Sequence, residues 1–406
     1  MRWLLRGIVA LALLVVFVAI AVVVLGRVDS RFAVSDWRVV LVALTGWAAP
    51  AASADGSGLA VAQGYSVRTY ASGLPNARTL RVTAAGDLLV AQPREGRITL
   101  LGRDANGDGK PDRQIALLDG LHRPYGIDIH EGWLYVAEGA RVIRVRFDAT
   151  RGAVSGPPQV VLDGVPAGGN HWTRTLRVGP DGWLYLSVGS TCNVCVEEHP
   201  WRAALVRFRP DGSGAGLFAS GLRNTVGFDW APWDGALYGT DNGRDMLGDD
   251  FPPCELNRIE PGGFYGWPYV NGFGVKDPDF GDKGAAQART ARAPAHGFRA
   301  HNAPLGMTFL RHVVHGPSMA RSALVALHGS WNRSVPDGYK VVQLQWDADG
   351  TIREREFLGG FLVAGGVRGR PADVAEGPDG TIYVADDYAG AIHAVRRAVP
   401  AAGGRE

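Results

Sequence analysis

Short apolar segments, each preceded by a tight turn, recur along most of the chain. Each copy is a glycine-containing turn, often Asp-Gly, followed by alternating apolar and aromatic residues, which is the pattern of a turn that leads into a β-strand. The copies are 85–91 (AGDLLVA), 131–137 (EGWLYVA), 180–186 (PDGWLYL), 233–239 (WDGALYG), 378–385 (PDGTIYVA) and a degenerate copy at 322–327 (SALVAL).

The spacing of these copies predicts the fold. Gly86, Gly132, Gly182 and Gly235 in the first four copies are separated by 46, 50 and 53 residues. A repeat of about 50 residues built from strands is typical of four-stranded β-propeller blades. Six copies, with no useful helical periodicity after residue 60, predict an all-β, six-bladed β-propeller over residues 59–398 and a flexible tail at 399–406.

Residues 1–58 differ from the rest and predict a membrane anchor or signal region with a linker. An uncharged apolar run at 7–26 could form a helix of roughly 30 Å, the thickness of a bilayer core. A second apolar stretch, 39–52, is shorter and ends in Ala52-Ser53-Ala54, which resembles a signal-peptidase site. Either the mature domain begins near Asp55 or the first run anchors the chain. Both alternatives place the propeller outside the cytoplasm, in the periplasm of a bacterial-type cell.

Composition supports a large folded domain and excludes one class of partner. Hydrophobic residues make up 46% of the 406 residues, so a substantial core can form, and 56 glycines suit many tight turns. The net charge of +2 predicts no nucleic-acid partner, because such binding needs a concentrated basic face. The three cysteines, Cys192, Cys195 and Cys254, predict a disulfide in an exported protein, but the sequence leaves the pairing open.

Polar residues lie next to several of the predicted strands, where propeller loops border the central channel. His171 and Arg174 precede the third copy, and Arg223 and Asn224 precede the fourth. A histidine titrates close to neutral pH and can act as a general base, and an arginine can clamp a carboxylate. The alternatives are a structural histidine and an arginine that bridges two blades. Further cationic, aromatic and oxygen-bearing candidates are Asn242, Trp331, Arg333 and Arg370.

Several of these segments resemble the soluble quinoprotein sugar dehydrogenases, most closely the sorbosone dehydrogenase-like branch. The resemblance covers roughly residues 60–397. The segments that carry it are 171–176 (HWTRTL), 189–193 (GSTCN), 221–224 (GLRN), 255–257 (ELN), 265–268 (YGWP), 301–306 (HNAPLG), 328–333 (HGSWNR), 369–371 (GRP) and 385–387 (ADD).

The resemblance implies a six-bladed propeller that binds pyrroloquinoline quinone (PQQ) and Ca²⁺ over the channel and oxidises an aldose or a sugar aldehyde. His171 would be the general base, Arg223 and Asn224 would hold the cofactor near its reacting carbonyls, and Arg370 would pair with a cofactor carboxylate. Arg174, Asn242, Trp331 and Arg333 complete the expected cofactor-binding set.

The same resemblance implies a set of metal ligands. Gly243 and Arg244 would offer backbone carbonyls to Ca²⁺, and Glu255 and Tyr265 match positions associated with metal binding in the family. The segment 240–245 is rich in the oxygen ligands that Ca²⁺ prefers.

Electrons would pass to a quinone or a cytochrome, and the membrane would be reached through the N-terminal helix.

Two other functions stay open at the level of the sequence. A calcium-dependent lactonase-type hydrolase also uses a six-bladed channel, but it would gather carboxylate and amide ligands where this chain gathers arginines. A non-catalytic binding module would tolerate any change at His171. The sequence also departs from the glucose-oxidising members of the family, because Leu327-His328-Gly329 stands where those enzymes have a lysine and Ala372 where they have an arginine.

Overall fold

The computed structural model describes residues 25–26, 28–45 and 58–398. Its main body is a ring of six antiparallel sheets around a central channel, so the predicted all-β, six-bladed propeller is confirmed. In each sheet the strands follow one another outward from the channel. The innermost strands of neighbouring blades contact each other and line the channel.

The first three blades are built from consecutive hairpins. From the innermost strand outward, blade 1 contains Thr79–Val82, Leu88–Gln92, Arg97–Leu101 and Gln114–Leu118; blade 2 contains Ile127–His130, Trp133–Ala137, Val142–Asp148 and Ala153–Leu162; and blade 3 contains Leu176–Val178, Leu184–Val188, Ala204–Phe208 and Gly216–Ser220.

The last three blades close the ring. Blade 4 contains Thr225–Trp230, Leu237–Asp241, Cys254–Ile259 and His296–Phe298; blade 5 contains Pro304–Phe309, Ser322–Leu327, Lys340–Trp346 and Ile352–Gly359, with Ala60–Val61 as an added edge strand; and blade 6 contains Pro371–Glu376, Ile382–Asp386, Ala391–Arg397 and, outermost, Tyr65–Ala71. Because this last strand comes from the start of the propeller, the two ends of the domain are held together in one sheet.

The repeated sequence unit forms the first turn and second strand of each blade. Gly182 and Gly380 of the Asp-Gly turns have φ of +77° and +79°, a conformation that glycine adopts without steric cost. The second strands Leu88–Gln92, Leu184–Val188 and Ser322–Leu327 are buried at every position. Blades pack against both faces of these strands, which explains why the chain repeats this segment most clearly.

Short elements outside the blades lie in the connecting segments. They are the 3₁₀ turns Ser30–Phe32, Val313–His315 and Pro317–Met319, the helices Trp37–Thr45 (α1) and Ala285–Ala288 (α2), and the strand pairs Val270–Asn271 with Val275–Lys276 and Leu362–Val363 with Gly366–Val367. The interval 243–303 contains the two outer strands of blade 4, with an insertion between them.

The N-terminal region lies partly within the described residues. Most of the apolar run 7–26, the cleavage motif 52–54 and the tail 399–406 lie outside them, so the predicted anchor, signal and tail stay predictions. In the part of the chain that the structure describes, no helix combines the length and apolar character needed to cross a bilayer. Helix α1, which begins the second apolar stretch, packs on the propeller, and Val39 is buried there beside Tyr388 and Phe361.

Candidate functional site

Strand direction brings the predicted site residues to one end of the channel. Neighbouring strands of a blade are antiparallel, so each innermost strand begins where the second strand of its blade ends. His171, Arg223 and Arg370 precede innermost strands, and Asn242 and His328 follow second strands. We call this end of the channel the front mouth.

His171 has one fixed tautomer at the front mouth. Its Nδ1 lies 2.8 Å from Ser190 Oγ and 3.1 Å from Ser190 O. The Ser190 hydroxyl donates its own proton to Cys192 O at 2.8 Å, so Ser190 can only accept from the histidine and Nδ1 carries the hydrogen. Burial, with a further effect from the Arg223 charge, lowers the pKa of His171 to about 3. Nε2 therefore keeps a free lone pair at neutral pH, as a general base requires.

Arg223 is buried beside His171 and bonded on every nitrogen. Nε donates to Asn193 O at 2.9 Å, and Nη2 donates to Asn193 Oδ1 at 2.8 Å and to Asp245 Oδ2 at 3.2 Å. Nη1 donates to the carbonyl oxygens of Asn242 at 3.1 Å and Gly243 at 3.0 Å. The carbonyl oxygen of Gly243, which was predicted to bind calcium, thus already accepts a hydrogen bond from the Arg223 guanidinium group.

Asp241 fixes the backbone that carries Arg223. Its carboxylate accepts from the backbone N–H of Arg223 at 2.9 Å, from that of Asn224 at 2.6 Å and from Thr225 Oγ1 at 3.3 Å. Glu255 lies opposite Asp241 in the sheet. Burial raises the pKa of Asp241 to about 7, and burial together with Asp241 raises the pKa of Glu255 to about 8. The predicted metal ligand Glu255 is therefore a buried carboxyl next to the site.

A second part of the front mouth is a cavity of about 200 Å³. We call it the arginine cavity, because the basic side chains that line it are Arg78, Arg94, Arg123 and Arg370. Asp387 is the one acidic residue among the described lining residues, and it bonds Arg78 Nη1 at 2.5 Å and His328 Nε2 at 2.8 Å. The excess of positive charge suits a ligand with several carboxylates.

Trp172 connects the arginine cavity with His171. Its indole forms part of the cavity wall, and the guanidinium carbon of Arg123 lies 4.3 Å from the ring centre. His171 is the preceding residue, so the predicted general base and the arginine cavity share one loop. A planar ligand in the cavity would therefore be held close to the base.

The described N-terminal segment covers this cavity. Val39 and Val42 of helix α1 line it opposite the arginines. The buried amide of Asn332 donates to the carbonyls of Arg31 at 3.0 Å and Ala33 at 2.9 Å, and Ser35 N donates to Trp331 O at 2.8 Å. Cleavage after Ala54, one of the two alternatives from the sequence, would remove this wall of the cavity.

Other predicted site residues support the loops. Arg174 is buried, and its guanidinium donates to the carbonyls of Pro166 at 2.6 Å and Thr173 at 2.7 Å, as well as to that of His171. Arg333 donates to the carbonyls of Asp249 and Ala300. Neither guanidinium lines the arginine cavity.

The remaining predicted residues also do not line the arginine cavity. Arg244 forms a buried ion pair with Asp277 at 2.7 Å, so the role predicted for its backbone carbonyl stays a prediction. The Tyr265 hydroxyl donates to Arg258 O at 2.7 Å and accepts from Glu260 N at 2.8 Å, near the end of blade 4. The Trp331 side chain is 37% exposed and is not part of the cavity wall.

Two buried oxygens test whether calcium fits the front mouth. Asn224 Oδ1 and Asn242 Oδ1 are buried and have no hydrogen-bond partner. Amide and carbonyl oxygens are ligands that Ca²⁺ prefers. In the described ranges, the one cluster of three metal-binding side chains is Cys192, Cys195 and Glu197, whose cysteines are joined by a disulfide. Calcium therefore fits a site of amide and carbonyl oxygens at the front mouth.

The disulfide resolves the pairing that the sequence left open. Cys192 pairs with Cys195, and Cys254 is buried and free. Asn193 lies between the paired cysteines, in the segment 189–193, but the sequence alone predicted no role for it. Arg78 and Arg123 were also missed, although both lie shortly before an innermost strand, the position that identified Arg223.

We predict that His328 and His171 make the apo protein lose stability as the pH falls from about 6.5 to 4, whereas the raised pKa values of Asp241 and Glu255 act in the opposite direction. Burial, followed by Arg370, lowers the pKa of His328 to about 4, and that of His171 is lowered to about 3. Both groups bind a proton in the unfolded chain near pH 6.5 while the folded chain stays neutral, so acid favours unfolding. Melting temperature against pH for wild type and His328→Gln tests this, because the difference between the two curves isolates the histidine. As the pH falls from about 6.5 to 4, the melting temperature of wild type should fall relative to that of the variant. The same pH dependence in both proteins would contradict the prediction.

Comparisons with known proteins identify the family of the chain and several relatives. A family model described as TrAA12-like matches residues 59–262 and 275–398. The chain is 36% identical over 231 residues to an uncharacterised protein of Borreliella burgdorferi, and 24% identical over 83% of its length to a pyrroloquinoline quinone-dependent pyranose dehydrogenase of Coprinopsis cinerea. The matches span 60% and 54% of those two proteins.

Solved structures share the fold. A calcium structure of a Trichoderma reesei enzyme of carbohydrate-active family AA12 has a TM-score of 0.71 at 20% identity, covering 84% of this chain and 97% of that one. The holo PQQ domain of the Coprinopsis cinerea pyranose dehydrogenase has a TM-score of 0.68 at 24% identity, with coverage of 84% and 97%. PQQ-bound aldose sugar dehydrogenase of Streptomyces coelicolor has a TM-score of 0.59 at 22% identity, with coverage of 83% and 100%.

Proposed function

The chain belongs to the TrAA12-like family, and from this premise we propose that it is a PQQ-dependent dehydrogenase that oxidises an aldose or a sugar aldehyde. The membership agrees with the resemblance drawn from its motifs. The Coprinopsis relative is a PQQ-dependent pyranose dehydrogenase, which supports a sugar substrate. The observation that carries the proposal is a neutral histidine with a free Nε2 beside a cavity lined by four arginines.

The chain's own residues would position the reactants and move one proton. The arginine cavity would bind the cofactor carboxylates, with Arg370 and Arg78 as the most buried contacts. Asn224 and Asn242 would contribute their unpaired oxygens to Ca²⁺, with the carbonyl of Gly243. His171 Nε2 would take the proton of the substrate hydroxyl. When bound, PQQ supplies the hydride acceptor, and Ca²⁺ stabilises negative charge on its oxygens.

The arrangement of acids favours this function over a lactonase-type hydrolase. A lactonase-type site would need carboxylates free to bind a metal deep in the channel. Asp128 is paired with Arg81 at 2.7 Å, and Asp229 is paired with Arg311 at 2.9 Å. Both aspartates also accept from backbone N–H groups of the next blade, so their oxygens are already in use.

The cell compartment and electron acceptor belong to the same proposal. Residues 7–26 would anchor the protein so that the propeller lies in the periplasm, and electrons would pass to a membrane quinone or a cytochrome. The apolar run in the sequence supports this. The docking of residues 29–45 at the front mouth also supports it, because this segment follows directly after the run and would keep the cofactor site near its attachment point.

Calorimetric titration of the full-length apo protein with PQQ tests the proposed function. We expect tight binding that requires Ca²⁺ and is weakened about 10- to 100-fold in Arg370→Met, because one charge-assisted contact is lost. Arg299→Met is the matched control, since Arg299 is 66% exposed on its side chain and pairs with Asp337 outside the cavity. Absence of binding by folded protein would exclude a PQQ enzyme.

A further inference from the structure

The Cys192–Cys195 disulfide closes a small ring next to the proposed general base. We call residues 192–195 the disulfide ring. It follows the second strand of blade 3, in a segment without helix or strand between Val188 and Ala204. Both cysteines are half-buried, so a small reductant can reach the bond.

One side of the ring fixes the hydrogen bonding of His171. The carbonyl of Cys192 accepts the Ser190 hydroxyl proton at 2.8 Å, which forces Ser190 to act as acceptor toward His171 Nδ1. If Cys192 moved away, the hydroxyl could donate to Nδ1, in competition with the Ser190 carbonyl, which accepts from Nδ1 at 3.1 Å. In part of the molecules the hydrogen would then shift to Nε2, the atom that has to accept the substrate proton.

The other side of the ring holds Arg223 through Asn193. The carbonyl oxygen of Asn193 accepts from Arg223 Nε at 2.9 Å, and its Oδ1 accepts from Arg223 Nη2 and from Asp245 N, both at 2.8 Å. Its amide donates to Asp245 O at 3.1 Å. One side chain and one carbonyl thus place both the guanidinium group and the neighbouring loop.

We propose that the disulfide ring positions His171 and Arg223 for the reaction, with Asn193 as a positioning residue, and that reducing the disulfide releases both. The inference rests on the proposed function, because it names what orients that site. A dithiol would transfer two electrons and two protons: the Cys192–Cys195 bond breaks to give two thiols, and the dithiol becomes a cyclic disulfide.

The disulfide adds a covalent closure to a segment that is otherwise held by hydrogen bonds, such as those between Thr191 and Glu197. A four-residue ring restricts the backbone torsions of Asn193, whereas an open loop can take many conformations. Hydrogen bonds of a half-buried loop compete with water, so they alone hold a geometry less firmly. The ring therefore supplies order that a strand supplies elsewhere in the propeller.

The first test needs no cofactor. In ¹⁵N-histidine NMR of the full-length apo protein, the oxidised chain should show His171 protonated at Nδ1, assigned by comparison with His171→Gln. Dithiothreitol, or the double variant Cys192→Ser/Cys195→Ser, should give mixed Nδ1 and Nε2 protonation. Cys254→Ser is the matched control and should respond to the reductant as wild type does. An unchanged tautomer after verified reduction would overturn the proposal.

The second test uses the PQQ-loaded enzyme. Ring opening and Asn193→Ala should each weaken PQQ affinity about tenfold, which is the effect of one or two lost hydrogen bonds. Both changes should also lower kcat, while the melting temperature should change little. Val196→Ala, at an exposed position just outside the ring, should behave as wild type. If oxidised wild type binds PQQ while these variants bind equally well, the ring has no positioning role. If wild type does not bind PQQ, the proposed function fails, and the NMR result still decides the effect of the ring on His171.

Discussion

Replacing His171 by glutamine is expected to lower kcat by about 10² to 10⁴-fold, the contribution of a positioned general base. Glutamine can keep a hydrogen bond to Ser190 but offers no basic nitrogen to the substrate. PQQ affinity should change less than about threefold, because Arg223 and the arginine cavity stay in place. Steady-state turnover of a panel of aldoses with an artificial electron acceptor, at saturating PQQ and Ca²⁺, measures the effect.

The matched control for this variant is His296→Gln. His296 lies on the outermost strand of blade 4 and bonds Glu354 at 2.9 Å, away from the front mouth. Its replacement should leave kcat within a factor of two of wild type. A fall of less than tenfold for His171→Gln would remove the histidine from the mechanism, and no effect on activity or ligand affinity would favour a binding module.

Replacing Arg244 by methionine is expected to lower the free energy of unfolding by about 3 to 5 kcal/mol, the usual effect of removing one partner from a buried ion pair. The Asp277 side chain is 1% exposed and would lose its bidentate cation. Three further groups, from Asn271, Asp279 and Phe280, donate hydrogen bonds to the Asp277 carboxylate. The loss of stability should therefore lie toward the lower end of this range. Urea unfolding followed by tryptophan fluorescence gives the value.

The double variant Arg244→Met/Asp277→Asn separates charge burial from packing. Replacing the unpaired Asp277 carboxylate should restore at least half of the lost stability, because the loss comes mainly from burying a charge without a partner. A loss below about 1 kcal/mol in Arg244→Met would show that the pair adds little.

Local sequence was sufficient for the blades. The Asp-Gly turns and the apolar strands after them depend on residues that are neighbours in the chain, so their pattern predicted both the strands and their number. The site loops were also predictable in part. His171, Arg223 and Arg370 lie before innermost strands, and strand direction brings all three to one end of the channel.

The sequence could not show which of the predicted arginines line the arginine cavity. Arg174, Arg333 and Arg370 share residue type and loop position, and all three guanidinium groups bond carbonyl oxygens of loops. Of the three, Arg370 alone lines the arginine cavity. A long flexible side chain reaches several Å from its backbone, so its partner depends on which loop packs beside it. That information is absent from local sequence.

The sequence by itself determined the propeller, its six blades and the family, and it predicted the region of the proposed base. Each of these depends on short-range pattern or on ordered motifs. Only the tertiary structure decided the tautomer of His171, the Cys192–Cys195 pairing and the role of Asn193. It also decided that α1 packs over the arginine cavity. The apolar character of α1 shows only that the helix is buried somewhere. The surface that buries it is formed by residues hundreds of positions away in the chain.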